Sequence, residues 1–167
     1  NSFCYRAFYA IRDLRNSKGE PTNAIYGFIT MLEKIVKDVE PDGVAVAFDM
    51  KGPTFRHKQY DQYKIQRAPM PEELVFQMPL IKDVVRAMNV SIFEREGFEA
   101  DDVIATLARE LSEKGHEVFI VTGDKDMLQL VTKKVKVLNP QKENALYDEA
   151  HVKQRFGVGP DRVVDIM

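Results

Sequence analysis

The sequence predicts an α/β domain whose mostly parallel central sheet is covered by helices on both faces. Three observations carry that expectation. Helical stripes with apolar residues at i, i+3, i+4 and i+7 alternate along the chain with short apolar runs of strand length. Those runs, VAVAF at 44–48, VSIF at 90–93 and EVFIVT at 117–122, are nearly continuous rather than alternating, the pattern of strands buried on both faces. The chain is 167 residues long and has no repeat, low-complexity stretch or internal linker, which suits one domain over residues 1–167.

The elements follow in order. Residues 2–11 read as a short aromatic helix, and the polar NSKGEP connection leads to Thr22, a candidate N-cap. The helix it opens runs to about Val39 on a stripe of Ala24, Ile25, Phe28, Ile29, Leu32, Ile35 and Val36. Pro41-Asp42-Gly43 makes a turn into the 44–48 strand, which ends at Asp49. Residues 51–67 lack a clean period and read as a loop or a short irregular helix. From Pro71 to Met88 a helix carries Leu74, Met78, Ile81 and Val85 on one stripe, and Pro79 inside it predicts a kink or a break. After the 90–93 strand comes a strongly amphipathic helix, Ala100 to Lys114, with Gly115 as its C′ stop. The 117–122 strand then leads into a short helix, DMLQLV, a strand at 135–138 and another near Leu146-Tyr147. Helices at 149–156 and 160–167 complete the chain.

Bulk composition excludes several classes. No apolar run approaches the ~20 residues of a membrane-spanning helix, and no secretory signal is visible. One cysteine, Cys4, cannot form an internal disulfide, in keeping with a reducing compartment. His57, His116 and His151 are not spaced as a zinc pair. Net charge is −2, yet residues 51–67 hold five Lys or Arg (Lys51, Arg56, Lys58, Lys64, Arg67) against the single acid Asp61. A basic strip on an acidic body suits a polyanion held beside a metal; a solvated charged loop is the plainer alternative.

The chemical signal lies in the acids. Ligands of open α/β sheets bind beyond the carboxyl ends of the strands. Asp49 follows one strand, Asp124 and Asp126 follow another, and Glu99, Asp101 and Asp102 follow the loop that leaves a third. Asp101 and Asp102 differ by about 100° on a helix start, so both reach the sheet edge before the apolar stripe begins. In GDKD, Gly123 permits a tight turn that lets Asp124 and Asp126 project to one side of Lys125. Six clustered carboxylates repel one another, and hard divalent cations such as Mg2+ or Mn2+ remove that penalty through oxygen coordination. Two ions roughly 4 Å apart suit phosphodiester hydrolysis. First-turn acids also complement a helix dipole, and Asp after a strand often caps a turn, so each group alone has a purely structural reading.

Four blocks, GEPTNAIYGF (19–28), VAFDMKGPTFRHKQYDQYK (46–64), EADDVIATLARE (99–110) and VTGDKDMLQLV (121–131), resemble in sequence and order the 5′-nuclease domain of bacterial DNA polymerase I, a relative of the flap endonucleases. The resemblance covers nearly the whole chain. It implies a PIN-like α/β fold and metal-dependent 5′-3′ exonuclease and flap endonuclease activity on DNA with 5′ flaps, nicks or branches, used in primer removal and excision repair. By the same resemblance Asp49, Glu99, Asp101, Asp102, Asp124 and Asp126 match metal-site acids served by Mg2+ or Mn2+. Lys64 and Arg67 match positions at the base of a helical gateway, where they contact the scissile phosphate and the threaded strand. Arg6, Arg56 and Lys58 fall at basic positions facing phosphates. Tyr60 and Tyr63 either stack bases or pack the arch, packing being the preferred reading. A monomer in the bacterial cytoplasm, with a polymerase domain as a possible continuation, is the expected setting.

The sequence departs from that pattern at both ends. The family has an apolar strand ending in Asp-Gly before the counterpart of Asn1, and a Gly-Asp-x-x-Asp segment with a helix–hairpin–helix beyond the counterpart of Met167. The chain is therefore expected to be a fragment with impaired activity by itself. A DNA-structure binding module with little catalysis and an RNA-cutting PIN-type nuclease are the alternatives.

Overall fold

A computed structural model of the chain describes residues 1–60, 68–140, 142 and 145–166. It divides into two compact units, Asn1–Ala100 and Asp101–Met167.

In the first unit, α1 (Ser2–Ala10) and α2 (Asn23–Val39) are followed by β1 (Ala45–Ala47), the short α3 (Phe55–Gln59), α4 (Glu72–Ala87) and β2 (Ser91–Phe93). β1 and β2 are parallel, with Ala45 opposite Ser91 and Ala47 opposite Phe93, as a β-helix-β crossover requires. The core gathers Cys4, Ala7, Ala24, Phe28, Leu32, Phe48, Leu74, Ile81 and Val85. The Phe28 and Phe48 rings lie 6.1 Å apart. Burial pushes the Cys4 thiol up to about 11, because a thiolate in that apolar setting would lose its hydration.

Polar groups inside this core decide how the helices meet. Thr22 occupies the predicted N-cap position but caps nothing: its hydroxyl donates to the Leu14 carbonyl at 3.3 Å. Capping comes from Gln77 on α4, which is fully buried. Its Oε1 accepts the backbone N–H of Ala24 at 2.8 Å and of Ile25 at 3.2 Å, two donors that a helix start leaves without an intrahelical partner. Its Nε2 donates to Asn23 Oδ1 at 2.9 Å and to the Glu73 carbonyl at 3.1 Å. Asn23 in turn donates from Nδ2 to the Phe8 and Ile11 carbonyls where α1 ends. Gly27 lets α1 and α2 approach closely, since a Cβ there would stand 2.9 Å from the Ala7 Cβ. Pro79 does not break α4, which runs through it as one helix.

The second unit holds most of α5 (Ala100–Glu113), then β3 (Val118–Val121), a 3-10 helix (Asp126–Leu130), β4 (Val135–Asn139), β5 (Ala145–Tyr147), α6 (Glu149–Phe156) and a second 3-10 helix (Pro160–Ile166). β3 and β4 are parallel, Val118 facing Val135; β4 and β5 are antiparallel, Val137 facing Tyr147. Gly115, at φ +97°, supplies the left-handed stop after α5 as the sequence predicts. Asp148 caps α6: its Oδ1 accepts the His151 backbone N–H at 2.9 Å, and that bond holds its carboxyl below the usual range. Ile120, Met127, Leu128, Val135, Val137, Val152 and Val163 form the core.

The α/β class and the predicted elements are present, with differences that have physical causes. Among the described residues the strands form two sheets, a parallel pair and a three-stranded sheet, rather than one central sheet. β1 is only partly buried, because β2 is its one described hydrogen-bonded neighbour. Asp126–Leu130 and Pro160–Ile166 form 3-10 rather than α-helix. The first of these is a five-residue element, where i→i+3 bonding is common.

Three outcomes follow. Gln77→Leu keeps the volume but strands the Ala24 and Ile25 amides and Asn23 Oδ1, so urea unfolding should show a loss of about 3 kcal/mol. Gly27→Val should cost a similar amount, roughly 3 kcal/mol, by forcing α1 and α2 apart. The Cys4 thiol should resist a disulfide reagent at pH 8 in the native chain and react fully in denaturant, with the released thiolate chromophore as readout.

Candidate acidic site

The first unit contributes Asp49 and Glu99. Asp49 follows β1 by two residues and is half-buried. Its Oδ1 accepts the backbone N–H of Ala100 at 2.8 Å, which satisfies a donor at the start of α5 and fixes the carboxylate. The Asn1 nitrogen lies 3.5 Å from its Oδ2. Glu99 immediately precedes α5, and its Oε2 lies 3.5 Å from an Arg56 guanidinium nitrogen. Arg56 also sits over the Phe55 ring at 4.6 Å, and Phe55 pairs with Phe98 at 5.6 Å between centroids. The predicted phosphate-facing Arg56 is thus engaged with a predicted metal-site acid.

The second unit contributes the other four acids. Asp101 and Asp102 lie in the first turn of α5, where negative charge complements the exposed N–H groups. Asp124 and Asp126 follow β3. The turn there is built by side chains rather than by a left-handed glycine. Thr122 Oγ1 accepts the Asp124 N–H at 3.1 Å, and Asp124 Oδ1 accepts the Asp126 N–H at 3.0 Å. The structure therefore links Asp124 with Asp126, Asp49 with the start of α5, and Glu99 with Arg56. Among the described residues no group of three or more His, Cys, Asp or Glu is arranged to hold a metal ion. Carboxylates as a residue type suit hard, oxygen-seeking divalent ions, and the single thiol is buried in the first-unit core.

The basic residues divide differently. Arg6 is exposed on α1 and Lys58 is exposed on α3. Tyr60 is 68% exposed, and the residues that follow it, against which an arch-packing role would be read, lie outside the described residues. Lys64, Arg67 and Tyr63 lie outside the described residues. Sequence reasoning missed a cavity in the second unit lined by Asp124, Lys125, Asn139, Lys142, Tyr147 and Arg155. No periodic signal marks it, because these side chains come from two turns, two strands and a helix.

Comparison with known proteins places the chain. Residues 1–157 match the family model described as the 5′-3′ exonuclease, N-terminal resolvase-like domain. The 5′-3′ exonuclease of Aquifex aeolicus is 44% identical over 167 residues, covering 100% of this chain and 57% of that protein. DNA polymerase I of Bacillus subtilis is 42% identical over 169 residues, covering 99% of this chain but 19% of that protein. The chain thus spans only part of these relatives, about a fifth in the polymerases. Among solved structures, the T5 D15 protein co-crystallised with metal ions superposes with a TM-score of 0.75 at 18% identity, over 97% of this chain and 60% of that one. Another structure of the D15 flap endonuclease, a pseudo-enzyme-product complex with DNA and metal ions, has a TM-score of 0.66 at 20% identity. No helix among the described residues is long and apolar enough to cross a membrane. The sequence match over nearly its whole length and the shared α/β fold together establish that this chain belongs to the 5′-3′ exonuclease family, as its N-terminal resolvase-like domain.

Proposed function

We propose that the chain acts as a single nuclease domain, a metal-dependent 5′-3′ exonuclease and flap endonuclease on DNA with 5′ flaps, nicks or branches, used in primer removal and excision repair in the bacterial cytoplasm. The observation that carries this reading is the match of residues 1–157 to the 5′-3′ exonuclease model, within which both acidic motifs fall. Asp49, Glu99, Asp101, Asp102, Asp124 and Asp126 would hold the cations, for which Mg2+ or Mn2+, two ions in number, suits an all-oxygen donor set. When bound, such ions supply activation of the attacking water and stabilisation of the leaving oxygen.

The chain's own residues supply the rest. A carboxylate has two oxygens, and in Asp49 and Asp124 one oxygen is fixed by a backbone N–H, which holds the group in one orientation. Lys64 and Arg67 place positive charge on the phosphate undergoing attack, where charge grows as the P–O bond breaks. Arg6 and Lys58, both exposed, meet phosphates of the bound strand, and Arg56 reaches the same strand when it releases Glu99. Tyr60, with its ring open to solvent, stacks on a base.

Extended at both ends to the length of its exonuclease relatives, of which it covers 57% in Aquifex aeolicus, the chain should release the flap from a 5′-flap DNA in Mg2+ and stop in EDTA. Asp124→Asn keeps the acceptor for the Asp126 N–H but removes the charge. Its cleavage rate should fall by roughly 100-fold or more, since even residues that only support a metal ligand cost 10–100-fold. Equal rates in Asp124→Asn, or in chelator, would overturn the metal-site assignment; a matched RNA flap cut as well as DNA would overturn the substrate assignment.

A further inference from the structure

The cavity in the second unit has features that the acidic site does not explain. It measures about 80 Å³, against the roughly 10–15 Å³ that one water requires. Three cations line it from three separate elements. Lys125 comes from the turn after β3, Lys142 from the turn between β4 and β5, and Arg155 from α6. One carboxylate, Asp124, stands against them, leaving an excess of two positive charges around a small space.

None of the three cations has an ion pair among the described residues. The described partners of Arg155 are the Tyr147 hydroxyl, which accepts a hydrogen bond from its Nη1, and the Tyr147 and Phe156 rings, each 5.4 Å away. All three cationic residues are exposed, so water screens their repulsion, but the two positive charges left in excess over Asp124 favour an anion there. Tyr147 is 7% exposed, and its hydroxyl, having accepted from Arg155, keeps a proton to donate. A guanidinium fork, two ammonium groups and a phenol are donors suited to a tetrahedral oxyanion with several acceptor oxygens. The one rim carboxylate already spends Oδ1 on the Asp126 N–H.

We propose that this cavity seats a phosphate group of a nucleic-acid strand, held by Lys125, Lys142 and Arg155 with the Tyr147 hydroxyl as a fourth donor. The choice of a nucleic-acid strand as the phosphate source rests on the nuclease reading above. The site itself rests on the cavity and its unpaired cations.

The test reads binding in EDTA, without metal and without cleavage. Inorganic phosphate is titrated into the isotope-labelled 167-residue chain while backbone amide shifts are followed. Short single-stranded DNA oligonucleotides are then added as competitors, one with a 5′-phosphate and one with a 5′-hydroxyl. Saturable shifts at Gly123, Lys125, Lys142, Tyr147 and Arg155, reversed by either oligonucleotide, are the expected result. Displacement by the 5′-phosphorylated strand alone would identify the group as a terminal phosphate; displacement by both would identify a backbone phosphate, and either supports the site. Lys142→Gln removes an exposed side chain with no described bond, so the fold is retained, and it should weaken phosphate binding about tenfold. Arg155→Gln should weaken it by at least that much.

The proposal is overturned if phosphate produces no saturable shift, if Lys142→Gln and Arg155→Gln leave the affinity unchanged, or if neither oligonucleotide displaces the ion. Failure here with flap cleavage intact removes only the cavity assignment. Absent cleavage by the chain extended at both ends, with oligonucleotide competition intact, removes the nuclease reading and leaves the phosphate site standing.

Discussion

A helix that starts inside a dry core must find partners for amides that have none within the helix, and the first unit meets that demand with one side chain. Gln77 is buried, accepts from two amides of α2 and donates to Asn23, which in turn closes the carbonyl end of α1. Removing any member strands its neighbours in a setting where an unmet hydrogen bond costs about 1–3 kcal/mol. Three helices are therefore fixed relative to one another by directional bonds as well as by shape. Packing carries that order onward: the α2 residue Phe28 meets Phe48, the residue after β1, and Lys82 of α4 lies 5.3 Å from the Phe48 ring centroid. The next residue is Asp49. Its position at the end of β1 is thus tied, within a few contacts, to an amide relay that touches no candidate ligand.

The acids themselves show why a capping role and a metal-site role need not compete. Asp49 and Asp124 each accept a backbone N–H at 2.8 and 3.0 Å. A carboxylate that made no such bond would sample several rotamers at the surface and pay entropy to bind a cation. One bond to the backbone removes most of that freedom while the second oxygen, which in Asp49 lies 3.5 Å from the Asn1 nitrogen, retains acceptor capacity. The same geometry that makes Asp a common cap therefore prepares it as an oriented ligand.

Much of this organisation was legible in the sequence because it is local. The stripes of α2 and α5, the Gly115 stop and the apolar runs of β1 to β4 declare themselves within windows of a few residues. What escaped depends on distant partners. Thr22 looks like a cap in its own window, but the cap comes from Gln77, 53 residues from Ala24. Pro79 predicts disruption locally, yet the helix around it buries Leu74, Gln77, Ile81 and Val85, and that burial outweighs one lost hydrogen bond. The choice of 3-10 over α for Asp126–Leu130, a five-residue element, lies below what hydrophobic periodicity resolves. The acids were legible as motifs because neighbouring residues carry them. The cavity was not, because its cations come from elements that adjoin only after folding.

That contrast bears on where a chain of net charge −2 attracts a polyanion. Cation density along the sequence points to residues 51–67, but density is not availability. Arg56, within that strip, lies against Glu99, and elsewhere Lys82 lies against Glu94, Lys136 against Glu117 and Arg15 against Glu73. Each paired cation contributes a dipole rather than a charge to the field beyond a Debye length of about 8 Å. Lys125, Lys142 and Arg155 have no such partner among the described residues and line one partly open cavity, where their excess positive charge attracts an anion. Attraction for phosphate in the second unit should follow these unpaired cations more closely than the overall count of Lys and Arg.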